Sequence, residues 1–272
     1  MPYVRANGIR FAFDTFGSMN NGPLFLVHGL TGQRMNMFDA AKRLSDEFFV
    51  VTYDCRGHGQ TDHPARYTLA DHGRDLLALI DVLGYEKASV LGASMGSYVA
   101  LQAAELDPSK IDRLVLVTAK AFDDGSGSSV QRLLKEAGLD MTASSPAEKS
   151  RVLQKALWSP HITPEKLAEL APRTKTTGEN AVALTPEETA AVNAALVGFD
   201  LRPDMAKVSC PALVVAGTYD RINPPAFGKE IADGLPNAEY AEFPGGHLLT
   251  MEFEDEYIAR VRAFLNKQTA AS

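Results

Sequence analysis

Short apolar, β-branched runs alternate along this chain with longer stretches in which apolar side chains recur every three or four positions. The runs fall at residues 24–27, 48–53, 88–91, 113–118, 212–216 and 239–243. Their near-continuous apolar character predicts strands covered on both faces. The longer stretches predict helices over 38–44, 68–83, 95–106, 226–235 and 255–264. In the second of these, Leu69, Leu76, Leu77, Ile80 and Leu83 share one helical face, and Gly84 supplies a stop. The third ends at Asp107-Pro108, where proline forbids continuation. Ahead of the first run, Asn7-Gly8 predicts a tight hairpin turn. Alternation of this kind reads as an α/β fold: a mostly parallel central sheet flanked by crossover helices.

Residues 121–207 break the rhythm. Glycine, serine and proline punctuate short helical patterns there, as in the 125–129 run of Gly and Ser, Ser145-Pro146, Ser159-Pro160, Pro172 and Pro186, and no strand pattern is evident. Alternation resumes at Cys210-Pro211. The expected organisation is a core of residues 1–120 and 208–272, with 121–207 as a helical cap inserted between two consecutive strands.

Three-residue logic narrows the chemistry. Gly92-Ala93-Ser94-Met95-Gly96 lies between an apolar strand and a helix, the setting in which Gly-x-Ser-x-Gly forms a nucleophile elbow. A serine hydroxyl needs a base, and the base needs an acid to hold its tautomer. Asp220, in Gly217-Thr218-Tyr219-Asp220, and His247, in Pro244-Gly245-Gly246-His247, each follow a strand. Both therefore belong at the carboxyl ends of strands, where open α/β sheets place their sites. Asp220 also fits a turn or helix cap, and Asp123 and Asp124 are the rival acids. Of the remaining histidines, His28 and His58 sit in glycine-flanked loops, His63 and His72 in surface segments and His161 in the insertion, and all read as structural or solvated. The turn His28-Gly29-Leu30-Thr31-Gly32 follows the first central strand, so the backbone amides of Leu30 and Met95 are the candidate oxyanion donors. For substrate contacts the candidates are Arg34, which also reads as a surface arginine, and Trp158, which also reads as a packed cap residue.

Composition trims the alternatives. With 27 Lys and Arg against 34 Asp and Glu the formal charge is −7, which argues against a nucleic-acid surface. Cys55 and Cys210 stand far apart with no Cys-x-x-Cys pair, so neither a structural zinc site nor a disulfide framework is expected. Neither a secretory apolar run nor 18 consecutive apolar residues occur. The expectation is a cytoplasmic monomer or homodimer without metal, cofactor or membrane partner, acting on a small-molecule ester or lactone.

On His28-Gly29, the stretch Tyr53-Asp54-Cys55-Arg56-Gly57-His58-Gly59-Gln60-Thr61, the elbow at Ser94, Asp220 and His247, the chain resembles α/β-hydrolase fold proteins with a single cap. Residues 53–118, with Tyr67-Thr68-Leu69, are most similar to 3-oxoadipate enol-lactonases and related carboxylesterases. The resemblance implies a Ser-His-Asp serine hydrolase whose Arg56-Gly57-His58-Gly59 loop is structural and whose helical insertion covers the site. It equally admits cofactor-free perhydrolases, carbon-carbon bond hydrolases, and small-molecule receptors or signalling proteins with little turnover. An aspartate elbow, as in haloalkane dehalogenases and epoxide hydrolases, is excluded by Ser94.

Overall fold

In the computed structural model, residues 2–123, 129–140, 144–174 and 181–267 are described. Strands β1 (Tyr3–Ala6) and β2 (Ile9–Phe16) form the hairpin expected at Asn7-Gly8. Both turn residues have positive φ, 46° and 76°, the conformation that favours Asn-Gly in a two-residue turn. The remaining strands are β3 (Pro23–Val27), β4 (Phe49–Tyr53), β5 (Ala88–Ala93), β6 (Ile111–Val117), β7 (Ala212–Gly217) and β8 (Ala238–Phe243). They complete an eight-stranded sheet in the order β1-β2-β4-β3-β5-β6-β7-β8. β2 pairs antiparallel with β4, and every pairing from β4 to β8 is parallel.

Strand alternation divides the core into two layers. On one face Leu24, Leu26, Leu91, Val115 and Val215 pack against α1 (Phe38–Leu44) and, near the C-terminus, α10 (Glu254–Leu265). On the other, Phe25, Val27, Val90, Leu114 and Val214 meet α2 (Leu69–Val82), α3 (Met95–Leu106) and α8 (Pro225–Gly234). α2 opens on a capping box, in which Thr68 Oγ1 accepts from the Asp71 amide and Asp71 accepts from the Thr68 amide. No helix among the described residues is long and apolar enough to cross a membrane.

Between β6 and β7 run the short helices α4 (Ser129–Glu136), α5 (Pro146–Leu157), α6 (Pro164–Leu170) and α7 (Pro186–Ala194). The chain leaves and returns through one point. Phe122 bridges Asp200, the Asp123 amide donates to Phe199 O at 2.8 Å, and the Leu201 amide donates to Ala121 O at 2.8 Å. A four-residue helix, α9 (Leu249–Glu252), was not expected, being too short to show a period.

Arg34 corrects the sequence reading. It is neither a surface arginine nor free to meet a substrate carboxylate, since its side chain is 1% exposed. Its guanidinium meets Asp14 at 2.7 Å and Asp54 at 2.6 Å, and its amide donates to Asp54 Oδ1 at 2.7 Å. Asp54 also accepts the Gln60 amide at 2.9 Å. Close by, Arg56 makes two 2.6 Å bonds to Asp75, which Asn7 also reaches at 2.8 Å. These pairs fold the 54–61 loop against β2 and α2, as the family resemblance implied for that loop.

Around this loop three histidines are buried: His28, His58 and His72, the last expected at the surface. His28 Nε2 accepts the Cys55 amide at 3.0 Å, so the ring carries its proton on Nδ1 and donates it to Gly29 O at 2.8 Å. Burial drives His28 from its ordinary 6.5 to about 4 and His58 to about 3, and depresses His72 as well. Below pH 6.5 the unfolded chain therefore binds protons that the folded chain refuses, and stability falls as pH falls. Urea unfolding is expected to lose about 1.5 kcal/mol for each of His28 and His58 between pH 6.5 and pH 5. An unfolding free energy constant across that window would contradict the assignment.

Candidate active site

Ser94 sits where β5 turns into α3, with φ 53° and ψ −120°, a strained backbone that local crowding has to enforce. The glycines on either side permit the crowding. A Cβ on Gly92 would land on the Gly96 carbonyl, and one on Gly96 would land on the Val27 carbonyl at the end of β3. Without side chains there, the start of α3 presses onto the ends of β3 and β5, and the serine hydroxyl is lifted into the space above the sheet.

Asp220 lies in the turn after β7. Its Oδ1 accepts the amides of Ile222 at 2.8 Å and Asn223 at 2.9 Å, while Oδ2 faces His247 Nδ1 at 2.8 Å. Both readings of this residue hold together: one carboxylate oxygen caps the turn and the other addresses the imidazole. His247 follows β8 and places Nε2 3.0 Å from Ser94 Oγ. With Nδ1 donating to the carboxylate, Nε2 is left as the acceptor facing the hydroxyl. The Asp220 side chain is fully buried and that of His247 is 8% exposed. Carboxylate, imidazole and hydroxyl thus form one hydrogen-bonded line able to take a proton from Ser94.

The two candidate amides are aimed by the carbonyls on the far side of their peptide planes. The Gly29 carbonyl, which shares a peptide with the Leu30 N–H, accepts from His28 Nδ1 at 2.8 Å and from the Gly32 amide at 3.0 Å. The Ser94 carbonyl, which shares a peptide with the Met95 N–H, accepts from Ser97 Oγ at 2.6 Å and the Ser97 amide at 2.9 Å. Because a trans peptide points its N–H opposite its C=O, fixing each oxygen fixes each donor direction. Gly29 lies directly over the serine: a Cβ there would be 3.4 Å from Ser94 Cβ.

Two supporting residues escaped sequence reasoning. Asn223 donates to Tyr98 Oη and to Thr118 O, each at 2.6 Å, tying the Asp220 turn to α3 and to the end of β6. Glu252, on α9, accepts the Gly246 amide at 2.8 Å and the Ser159 amide at 3.1 Å through one oxygen. It thereby joins the loop before His247 to the end of α5, where the Leu248 amide also donates to Leu157 O at 2.9 Å. A Gly-Gly pair before a histidine, followed by a short acidic helix, was the only local signal for that clasp.

Trp158, 5% exposed, packs at this junction, its backbone against Gly246, and lines a groove whose walls do not include Ser94. The rival acid Asp123 instead pairs with Lys120 at 3.2 Å and accepts the Gly198 amide at 3.0 Å. Asp124 and most of the 125–129 run lie outside the described residues. His63 contacts Glu188 of α7 at 2.6 Å, and His161 meets Tyr219 Oη at 2.9 Å.

Comparison with known proteins gives the same fold. At 24% identity over 268 residues, the chain is similar to 3-oxoadipate enol-lactonase 2 of Acinetobacter baylyi, covering 97% of this chain and 96% of that one. A putative carbamate hydrolase RutD of Agrobacterium fabrum is 29% identical over 251 residues, covering 89% and 92%. Among solved structures, the enol-lactonase from Burkholderia xenovorans LB400 superposes with a TM-score of 0.81 at 27% identity, covering 98% of this chain and all of that one. A thermophilic esterase from Thermogutta terrifontis gives 0.78 at 26% identity, with 97% and 98% covered. The family model described as the α/β hydrolase fold matches residues 22–254, and the chain belongs to that family.

Proposed function

We propose that the protein is a serine hydrolase that cleaves a carboxylic ester or lactone through an acyl-enzyme. The observation that carries this reading is His247, held between Asp220 at 2.8 Å and Ser94 at 3.0 Å. Ser94 Oγ attacks the carbonyl carbon while His247 Nε2 accepts its proton, and Asp220 stabilises the imidazolium. Negative charge builds on the former carbonyl oxygen, facing the Leu30 and Met95 amides, whose directions are set before substrate arrives. Collapse expels the alcohol, protonated by His247; in a lactone the alcohol stays tethered to the acyl group. Water, deprotonated by the same imidazole, then releases the acid and restores Ser94.

Family membership supports a hydrolase, and the enol-lactonase and esterase relatives favour an ester or lactone carbonyl. In this reading residues 121–207 form the cap, and Glu252 is a positioning residue that steadies the His247 loop against it.

A fluorophosphonate is expected to add one adduct by intact mass to the parent protein and none to Ser94→Ala. Ser94→Ala should also lower turnover of short p-nitrophenyl esters by about 10³-fold or more, with the circular dichroism spectrum retained. Asp220→Asn should cost about 10⁴-fold in kcat, because the amide turns the imidazole to the wrong tautomer. Near-parental turnover in either variant would remove that residue from the mechanism. For Glu252→Ala, kcat should fall about tenfold or more with KM little changed, and Glu252→Gln, which keeps an acceptor oxygen, should restore it. Equal defects in both Glu252 variants would make its role merely structural.

A further inference from the structure

A second concavity of about 820 Å³ opens beside the site and includes neither Ser94 nor His247 in its walls. One side is a face of α5, where Arg151, Gln154 and Lys155 recur at helical spacing, continued by Trp158 in extended backbone just past the helix end. The other is the turn after β7, from Thr218 to Arg221, with Pro224 and Pro225 behind it. Ile162 and Leu167 add apolar wall between them. The volume is that of a small-molecule site.

Charge distinguishes this groove from the rest of the surface. The chain carries −7, yet the ionisable groups lining the groove are three cations, Arg151, Lys155 and Arg221, and one acid, Asp220. That acid offers the groove no open oxygen: its side chain is fully buried, and its oxygens accept from His247 and two amides. Of the cations, Arg221 is paired with Glu136 at 3.2 Å, and Arg151 stands three positions along α5 from Glu148. Lys155 is exposed on the rim. An apolar trough rimmed by cations matches a molecule with an alkyl body and one anionic end, since burying the alkyl part supplies affinity and the cations fix which end points outward.

We propose that this groove binds an amphipathic monoanion, a medium-chain carboxylate, at a site separate from Ser94. Trp158, the only tryptophan in the chain, lies in its wall and reports occupancy directly. The readout is binding, so it stands or falls independently of the serine hydrolase reading.

Dodecanoate, titrated below its micellar concentration into the Ser94→Ala protein, is expected to shift Trp158 emission along a saturable curve. Arg151→Glu combined with Lys155→Glu should weaken binding about tenfold or more. Lys155→Gln, a neutral change at an exposed position, should weaken it less in the same direction, and it decides the matter if the double variant does not fold. Dodecan-1-ol should bind more weakly than dodecanoate to the parent and equally to the charge-reversed protein. An absent or non-saturating response, affinity unchanged by loss of the cations, or dodecan-1-ol binding as tightly as dodecanoate would overturn the proposal.

Discussion

Everything at the reactive end of this molecule depends on how closely the first turn of α3 approaches the ends of β3 and β5. At that crossing backbone meets backbone, and a single methyl group on Gly92 or Gly96 would collide with a carbonyl. The approach holds Ser94 at a positive φ and sets Met95 as the first residue of the helix. It also brings Gly29 into contact with the serine, so the Leu30 peptide faces the same space from the neighbouring strand. Close packing of main chain therefore produces both a raised hydroxyl and two converging amides, and the side chains around them, His28 and Ser97, serve to keep the peptide planes from turning.

Electrostatics complements that packing in two different ways. Around the 54–61 loop, charges are buried in satisfied pairs, Arg34 with Asp54 and Arg56 with Asp75, with the half-buried Asp14 as a second partner of Arg34. Breaking one partner would strand the other in a low-dielectric interior, so these pairs act as geometric pins more than as sources of net stability. The three buried histidines take the opposite course and stay neutral, so the loop holds its shape without adding to the buried charge.

How much of this was legible in the sequence depended on range. Strand runs, the hairpin at Asn7-Gly8 and the placing of Ser94, Asp220 and His247 all follow local grammar: an apolar run, then glycines, then a polar residue where a parallel strand ends. Arg34 was misread because nothing adjacent to it announces Asp14 or Asp54, which lie 20 positions away on either side. Asn223 was missed because its partner Tyr98 is 125 positions distant, and Glu252 because the Ser159 amide it accepts is 93 away. His72 was placed at the surface because a histidine in an amphipathic helix carries no mark of which face it takes. Local pattern specifies elements and their ends, whereas the long-range partners that align the site emerge only when the sheet order is known.

The clasp at Glu252 makes one stretch of the chain between β6 and β7 unlike the rest. Residues Leu157 to Ser159 are joined through main-chain groups to the loop and short helix around His247, whereas α4, the turn after α6, and α7 reach the core through the side chains of Arg132, Arg173 and Glu188. Insertions and deletions between β6 and α5, or between α6 and β7, can accordingly drift without moving the imidazole, but a change in length at the end of α5 displaces it. Anyone replacing the segment between β6 and β7 would have to keep that three-residue crossing with the sheet, leaving the remainder of the segment as exchangeable material.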